Sequence, residues 1–462
     1  MAKRRVLKIT PVLITLNILV LFVIAGFYLF RLVKYYRLEN KPSENGTVLL
    51  VDEIKKKQSY LDETKGLVYN EETKMYKYKG NVNDNYISYS GQLFRIISID
   101  ENFSIKAISE DDVTLIYPGF ENGYTKSYVN KWLNESEEKY SGVYEKTLIN
   151  NKSLLEETSY CEDTIDDLSN ITCDKVNKDY RISMLTLYDY KEAGGKDSFL
   201  NFGESYNLGS LNGENYNYFV TDEGEISLNQ KSSRAITIRP VVTFVGQTEL
   251  LGGNGKKNNP YIIEKHDIKT AGDMYVGNYV KIGDYNYRVI EVLEEKVKLA
   301  LDGVLKESEE KKVELAFGGS NSAYTTSNTV GKYLNKTFLD KLEIKDKVVT
   351  SDWYIGTISL AKMDYSVVKS SKVSAKVGML TLGDMYVNEV GNSFTLLRGM
   401  EATNIINVIN ENKNFFADTI SAKYNLRPAF YVKYDTNVVS GSGTKEDPFV
   451  LGGNNAKETK EE

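Results

Sequence analysis

Two cysteines, one histidine and a few recurring arginines are the side chains of this 462-residue chain whose types invite chemistry. His266 stands alone in EKHDIK. A Ser-His-Asp triad or a His-rich zinc site needs partners that it lacks, so it reads as a solvated linker residue. Cys161 and Cys173 lie in SYCEDTIDDLSNITCDK, near enough to close a short loop. A disulfide there would contribute roughly 3 kcal/mol by the loop-entropy relation, and an extracytoplasmic location permits it. The alternative is two unpaired thiols in an acidic loop.

The same loop gathers Glu162, Asp163, Asp166, Asp167 and Asp174, hard oxygen donors of the kind calcium prefers. Without an Asp-x-Asp-x-Asp-Gly spacing, a solvated acidic loop is the favoured reading. No cofactor is expected, and calcium is the one metal left open. Arg95, Arg239, Arg288 and Arg427 sit in strand-like runs beside apolar neighbours. A buried guanidinium needs a partner, so structural ion pairs, with Asp189 and Asp384 as candidate partners, are expected over ligand contacts. Trp132 and Tyr333, at helical spacing, read as core. The best binding candidate is FGESYNLGSLNGENYNY at 202–218, a Gly/Asn-rich stretch interleaved with tyrosine. As a loop it would offer adaptable polar contacts, such as sugar stacking, through Tyr206, Asn207, Asn212, Asn215, Tyr216 and Tyr218; an ordinary exposed loop is the alternative.

The elements that position these residues come from a duplication. IRPVVTFVGQTELLGGNGKKNNPYII at 238–263 aligns without a gap with LRPAFYVKYDTNVVSGSGTKEDPFVL at 426–451. NYISYSGQLFRIISI from Asn85 meets NYVKIGDYNYRVIEV from Asn278, KWLN at Lys131 meets KYLN at Lys332, and MLTLYDY at Met184 meets MLTLGDM at Met379. Four collinear blocks define two copies, at 66–265 and 270–453, each long enough for a whole domain. Alternation in LFRIISIDENFSIKAIS and YRVIEVLEEKVKLAL predicts a hairpin in each copy. YVNKWLNESEEKY and VGKYLNKTFLDKL have the spacing of a short helix, and YFVTDEGEISL and INVINENKNFF read as second hairpins. The fold class expected is α+β, dominated by sheet. The glycine block lacks a Gly-Lys-Ser/Thr and a following helix, so it is not a phosphate loop. Its glycines supply positive φ and its proline fixes the approach to a last short strand.

Residues 9–30 carry no charge. As a helix they would span roughly 33 Å at about 1.5 Å per residue, enough to cross a bilayer, so 1–37 is read as a single-pass membrane anchor. The first 37 residues hold seven of the 58 lysines and arginines and none of the 64 acids, leaving an acidic body unsuited to nucleic acid. Residues 38–65 read as a polar stalk with room for a turn or two of helix, and 454–462 as a frayed tail. The basic count barely favours a cytoplasmic N-terminus. Together with the cysteines it places the bulk outside the cell.

YKYKGNVNDNYISYSGQLFRIISI, the KWLN helix, the IRPVV strand and the GNGKKNNPYII close resemble a domain of unknown function common in surface proteins of low-GC Gram-positive bacteria. That domain is itself similar to the formylglycine-generating-enzyme-like branch of the C-type-lectin fold. Family members often have Trp where this chain has Phe94 and Tyr287. The resemblance implies two tandem C-type-lectin-like domains. The copper chemistry of formylglycine-generating enzymes depends on cysteine, and both cysteines here fall in an insertion of the first copy. The Glu-Pro-Asn signature of sugar-binding lectins is missing. The expectation is therefore a cell-surface binding or adhesion protein without a catalytic constellation, its ligand a glycan, a cell-wall component or a protein. A divergent enzyme of the formylglycine-generating type and a membrane-tethered scaffold or sensor partner are the alternatives.

Overall fold

The computed structural model describes residues 47–117, 119, 123–134, 144–148, 152–162, 164–213, 216–230, 235–359, 371–389 and 392–452. The anchor at 1–37, the tail at 454–462, Asp163 and Asn215 lie outside the described residues. Among the described residues no helix is long and apolar enough to cross a membrane.

The protein is mostly β with a few short helices, so the helical share of the expected α+β class is small. In the first copy, Tyr86–Tyr89, Gln92–Ile99, Ile105–Ser109, Pro240–Phe244 and Ile182–Met184 run side by side, with Tyr261–Ile262 parallel to the first. The second copy repeats that order with Tyr279–Ile282, Tyr285–Val292, Lys296–Leu301, Pro428–Lys433 and Val377–Met379, and Phe449–Leu451 lies parallel to the first. Register repeats too: Tyr86 faces Arg95 and Tyr279 faces Arg288. A second sheet recurs as Ile226–Gln230, Tyr216–Val220, Tyr206–Asn212, Ile236–Ile238 and Thr114–Ile116, and again as Phe415–Thr419, Ile405–Ile409, Phe394–Gly399, Lys423–Asn425 and Glu314–Ala316.

The local reasons are those of the pattern. Pro240–Phe244 and Ile105–Ser109 are buried throughout, as befits central strands covered on both faces. The helix Tyr128–Asn134 buries Val129, Trp132 and Leu133, and Thr329–Lys332 continues through Tyr333–Phe338 to Leu339–Lys341 in the second copy. In the glycine block the backbone closes against the proline carbonyl. Gly253 has φ +86, and a Cβ there would lie 1.8 Å from the Pro260 oxygen; Gly441, at φ +93, would meet Pro448 at 2.2 Å. Only glycine fits either turn.

Two expectations need correction here. The segment 38–65 holds the short helix it had room for, Leu50–Lys55, but over its described part it is packed down and not a free stalk, since that helix buries Leu50, Val51 and Ile54. The Leu50 N–H donates to the Thr248 carbonyl at 2.9 Å, which docks this helix on the first copy. The stretch 202–218 is not a loop but two adjoining strands of the second sheet. Tyr206 to Ser210 and Asn217 to Val220 are buried throughout, so these strands are covered on both faces.

Candidate functional site: a charged cleft between the copies

Each copy gathers four equivalent side chains at the rim of its first hairpin. In the first copy the Arg95 guanidinium lies 4.5 Å from the Tyr86 ring centroid. Glu110, whose N–H donates to the Leu93 carbonyl at 2.8 Å, follows the second hairpin strand. Its carboxylate is 3.9 Å from Arg95 and 2.7 Å from Lys257, which the glycine block delivers. In the second copy Arg288 lies 4.7 Å from the Tyr279 ring, and Asp302 pairs with Lys445 from its own glycine block at 3.1 Å.

Between the copies opens a cavity of about 460 Å³. Glu110 and Lys257 line it on one side, and Tyr279, Asp302 and Lys445 on the other. Lys413 reaches across from the turn after Ile405–Ile409 to Glu204, at 3.0 Å, and Asp112, at 3.7 Å. Asn388 donates to the Asp112 carboxylate from the second copy, and Glu389 pairs with Arg288 at 2.6 Å. Arg239 stacks 3.9 Å over the Phe202 ring and lies 3.5 Å from Glu204.

Electrostatics follow from this crowding. Burial pushes the Glu389 carboxyl up to about 7 against the pull of Arg288, with Asp112 adding to the rise. Burial also raises Asp112, against Lys413 and Arg239. Lys413 would be lowered by burial, but Asp112 and Glu204 outweigh it and hold the ammonium above its usual range. Among the described residues seven carboxylates and four cations line the cavity, and each of the four cations is paired with a carboxylate. The hydrogen-bonding capacity left over is therefore mainly that of acceptors. Among the described residues the buried Oε2 of Glu110 and Oδ1 of Asn388 accept no hydrogen bond. Such a site suits ligands that donate, hydroxyl-rich or cationic, with the Phe202 and Tyr279 rings as apolar faces.

The residues expected from sequence fall elsewhere. Tyr206, Asn207 and Tyr218 are buried in the core; the Tyr206 hydroxyl donates to the Leu200 carbonyl at 2.9 Å, and Asn207 accepts from Asn217 at 3.0 Å. Asn212 donates to the Ile165 carbonyl and to Tyr218. Of the named residues in the described part of this stretch, only Tyr216 is exposed. Cys161 and Cys173 form a disulfide with Cα atoms 5.6 Å apart.

The arginines take other partners than Asp189 and Asp384. Arg95 donates to Asn85, and Arg427, fully buried, donates to the carbonyls of Leu301, Tyr386 and Val387. Asp189 pairs instead with Lys106 at 2.7 Å and Asp384 with Lys298 at 3.1 Å, equivalent lysines in the two copies. Asp166 and Asp167 accept hydrogen bonds from nearby backbone N–H groups, and Glu162 pairs with Lys175. Among the described residues no three His, Cys, Asp or Glu side chains gather as metal ligands. Trp132 is core, and its indole N–H also donates across the copies to the Gly383 carbonyl at 2.7 Å. His266 is exposed, with Nε2 2.6 Å from the Asp273 carbonyl.

Sequence reasoning missed Lys257 and Lys445, although they occupy matching positions in the last aligned block, and Glu110 and Asp302, which stand one residue past the two matched hairpins. Nothing comparable points to Glu204, Glu389 or Lys413. Comparison of the chain with family models, curated proteins and solved structures finds no match. Fold and cleft together define a duplicated β-rich protein with a polar site between its copies.

Proposed function

We propose that this chain is a membrane-anchored, extracytoplasmic binding protein whose tandem C-type-lectin-like copies hold a hydroxyl-rich ligand, a glycan or cell-wall fragment, in the cleft between them. The observation that carries this reading is the acceptor-rich lining: seven carboxylates around about 460 Å³, with every lining cation already paired. Sugar hydroxyls donate to carboxylates and sugar rings lie on aromatic faces, here Phe202 and Tyr279. The Cys161–Cys173 disulfide supports an oxidising compartment, and the uncharged run 9–30 supports the anchor.

The test is calorimetric titration of the full-length protein with muropeptides and cell-wall oligosaccharides. Saturable binding that falls at least tenfold in Glu204→Gln and Asp302→Asn is expected. Absence of binding to any glycan, or binding indifferent to both substitutions, removes the reading. Proteolysis of intact cells checks the compartment, where protection of the folded body would place it inside.

A second reading, a divergent enzyme, draws on Glu389, since a cleft carboxyl near neutrality suits a general acid or base. Its formylglycine-generating form has less support, because both cysteines are joined to each other.

A further inference from the structure

The two copies treat one feature differently, and the difference points to a second site. Both bury the same lysine–aspartate pair, Lys106 with Asp189 and Lys298 with Asp384. In the second copy aromatic rings cover the lysine: its ammonium lies 5.5 Å from the Trp353 ring centroid and 6.0 Å from that of Tyr431. Tyr431 is the residue directly opposite Lys298 on the neighbouring strand, so the two share a face.

In the first copy the residue directly opposite Lys106 is Thr243. The counterpart of Trp353 is Tyr160, which turns away to stack on Tyr124 at 4.3 Å and donates to the Gly209 carbonyl. Among the described residues no ring covers Lys106. In place of one there is a cavity of about 380 Å³ with Lys106 and Asp189 in its wall, a volume within the range of small-molecule sites. Elements particular to the first copy complete it: the hairpin Gly66–Asn70 and Met75–Lys79, the helix Leu187–Glu192 and the Cys161–Cys173 disulfide. Asp100 and Glu101 add negative charge to its lining, where Glu192 is paired with Lys77 at 2.9 Å.

We propose that this cavity binds a small arylalkylamine. Its aromatic ring takes, over the Lys106 ammonium, the place that Trp353 and Tyr431 fill in the second copy, and its own ammonium lies toward the acidic wall. A cation over an aromatic face is attracted to the ring quadrupole, more so when desolvated, and Lys106 is buried. The second copy thus carries in its own side chains the group that the first copy leaves for a ligand. This site is separate from the inter-copy cleft, and its occupancy does not depend on what the cleft holds.

The experiment is calorimetric titration of the full-length protein with tryptamine, indole and indole-3-acetate. One tryptamine site per chain that persists in the Glu204→Gln cleft variant is expected, with indole weaker and indole-3-acetate weakest there. Thr243→Tyr, which restores the ring found in the second copy, should weaken tryptamine at least tenfold, whereas Glu204→Gln in the cleft should leave it unchanged. No saturation at millimolar tryptamine, or full affinity in a folded Thr243→Tyr variant, overturns the proposal. Should that variant fail to fold, a tryptamine-soaked crystal of the unaltered protein decides: a ring over Lys106 upholds the site, and a ring elsewhere or no ring overturns it.

Discussion

Lys298 and Asp384 illustrate how a residue-level pattern can be half read. The aspartates and arginines both recur between the copies, and a guanidinium is the usual buried partner of a carboxylate, but strand geometry decides otherwise. The lysines, which recur just as faithfully, stand on strands facing the aspartates, while Arg427 is committed to three carbonyls. Lys298→Met leaves the buried Asp384 without its ionic partner, so a loss of about 3–5 kcal/mol is expected, read from denaturant midpoints. Glu389 makes a prediction of the opposite kind. Its carboxyl rises from 4.5 to about 7 on folding because burial outweighs Arg288. Between those values the folded chain holds a proton that the unfolded chain has lost, so stability falls as pH rises through this window and the loss is complete above it. Asp112, also raised by burial, adds in the same sense. The denaturation midpoint should therefore drop between pH 5 and pH 8, and Glu389→Gln should flatten that slope; an unchanged slope in the variant contradicts the assignment.

At the scale of elements, the glycine turns and the disulfide loop hold the parts in place. Gly441→Ala forces a Cβ into the Pro448 carbonyl at positive φ, and a cost above about 1–3 kcal/mol is expected from backbone strain alone. Gly253→Ala should match it, because its Cβ would meet the Pro260 carbonyl, likewise at positive φ. Cys161→Ser with Cys173→Ser opens a loop closed across a separation of 12 residues and should cost roughly 3 kcal/mol, measured by thermal unfolding with and without reductant. These turns, the first hairpins and the short helices were legible in the sequence because period and punctuation agree there. The stretch 202–218 was not. Its glycine and asparagine content suggested a loop, yet Tyr206 through Ser210 are buried without a break, and the buried Asn217 amide donates across the strands to Asn207. Composition misled here, because these strands are covered on both faces, and Asn207 and Asn217 are buried with their amides bonded to neighbouring strands.

For the whole molecule, the question is whether two copies mean two independent units. Equivalent segments diverge where the copies meet. Thr186 caps the helix Leu187–Glu192 in the first copy, whereas the second copy has Gly383 in place of Tyr188, at φ +89, which a right-handed helix cannot accept. Freed from the helix, 381–389 turns against the first copy. The Gly383 carbonyl accepts from Trp132, the Asp384 carbonyl accepts from Thr114 at 2.6 Å, and the Tyr386 N–H donates to the Val113 carbonyl at 2.7 Å. The alignment of the blocks hid this interface, since it arises where they differ. Buried apolar side chains form one cluster through both copies, so they should unfold together. Calorimetry of the full chain should give a single transition with matching calorimetric and van't Hoff enthalpies. Trp132→Phe keeps the ring but leaves the Gly383 carbonyl without its donor, at a cost of about 1–3 kcal/mol, and should lower that one transition as a whole. Two resolved transitions in the unaltered protein, or a Trp132→Phe effect confined to one half by hydrogen exchange, would mean that the copies are merely adjacent, and the cleft between them would then lack the fixed geometry its role as a binding site requires.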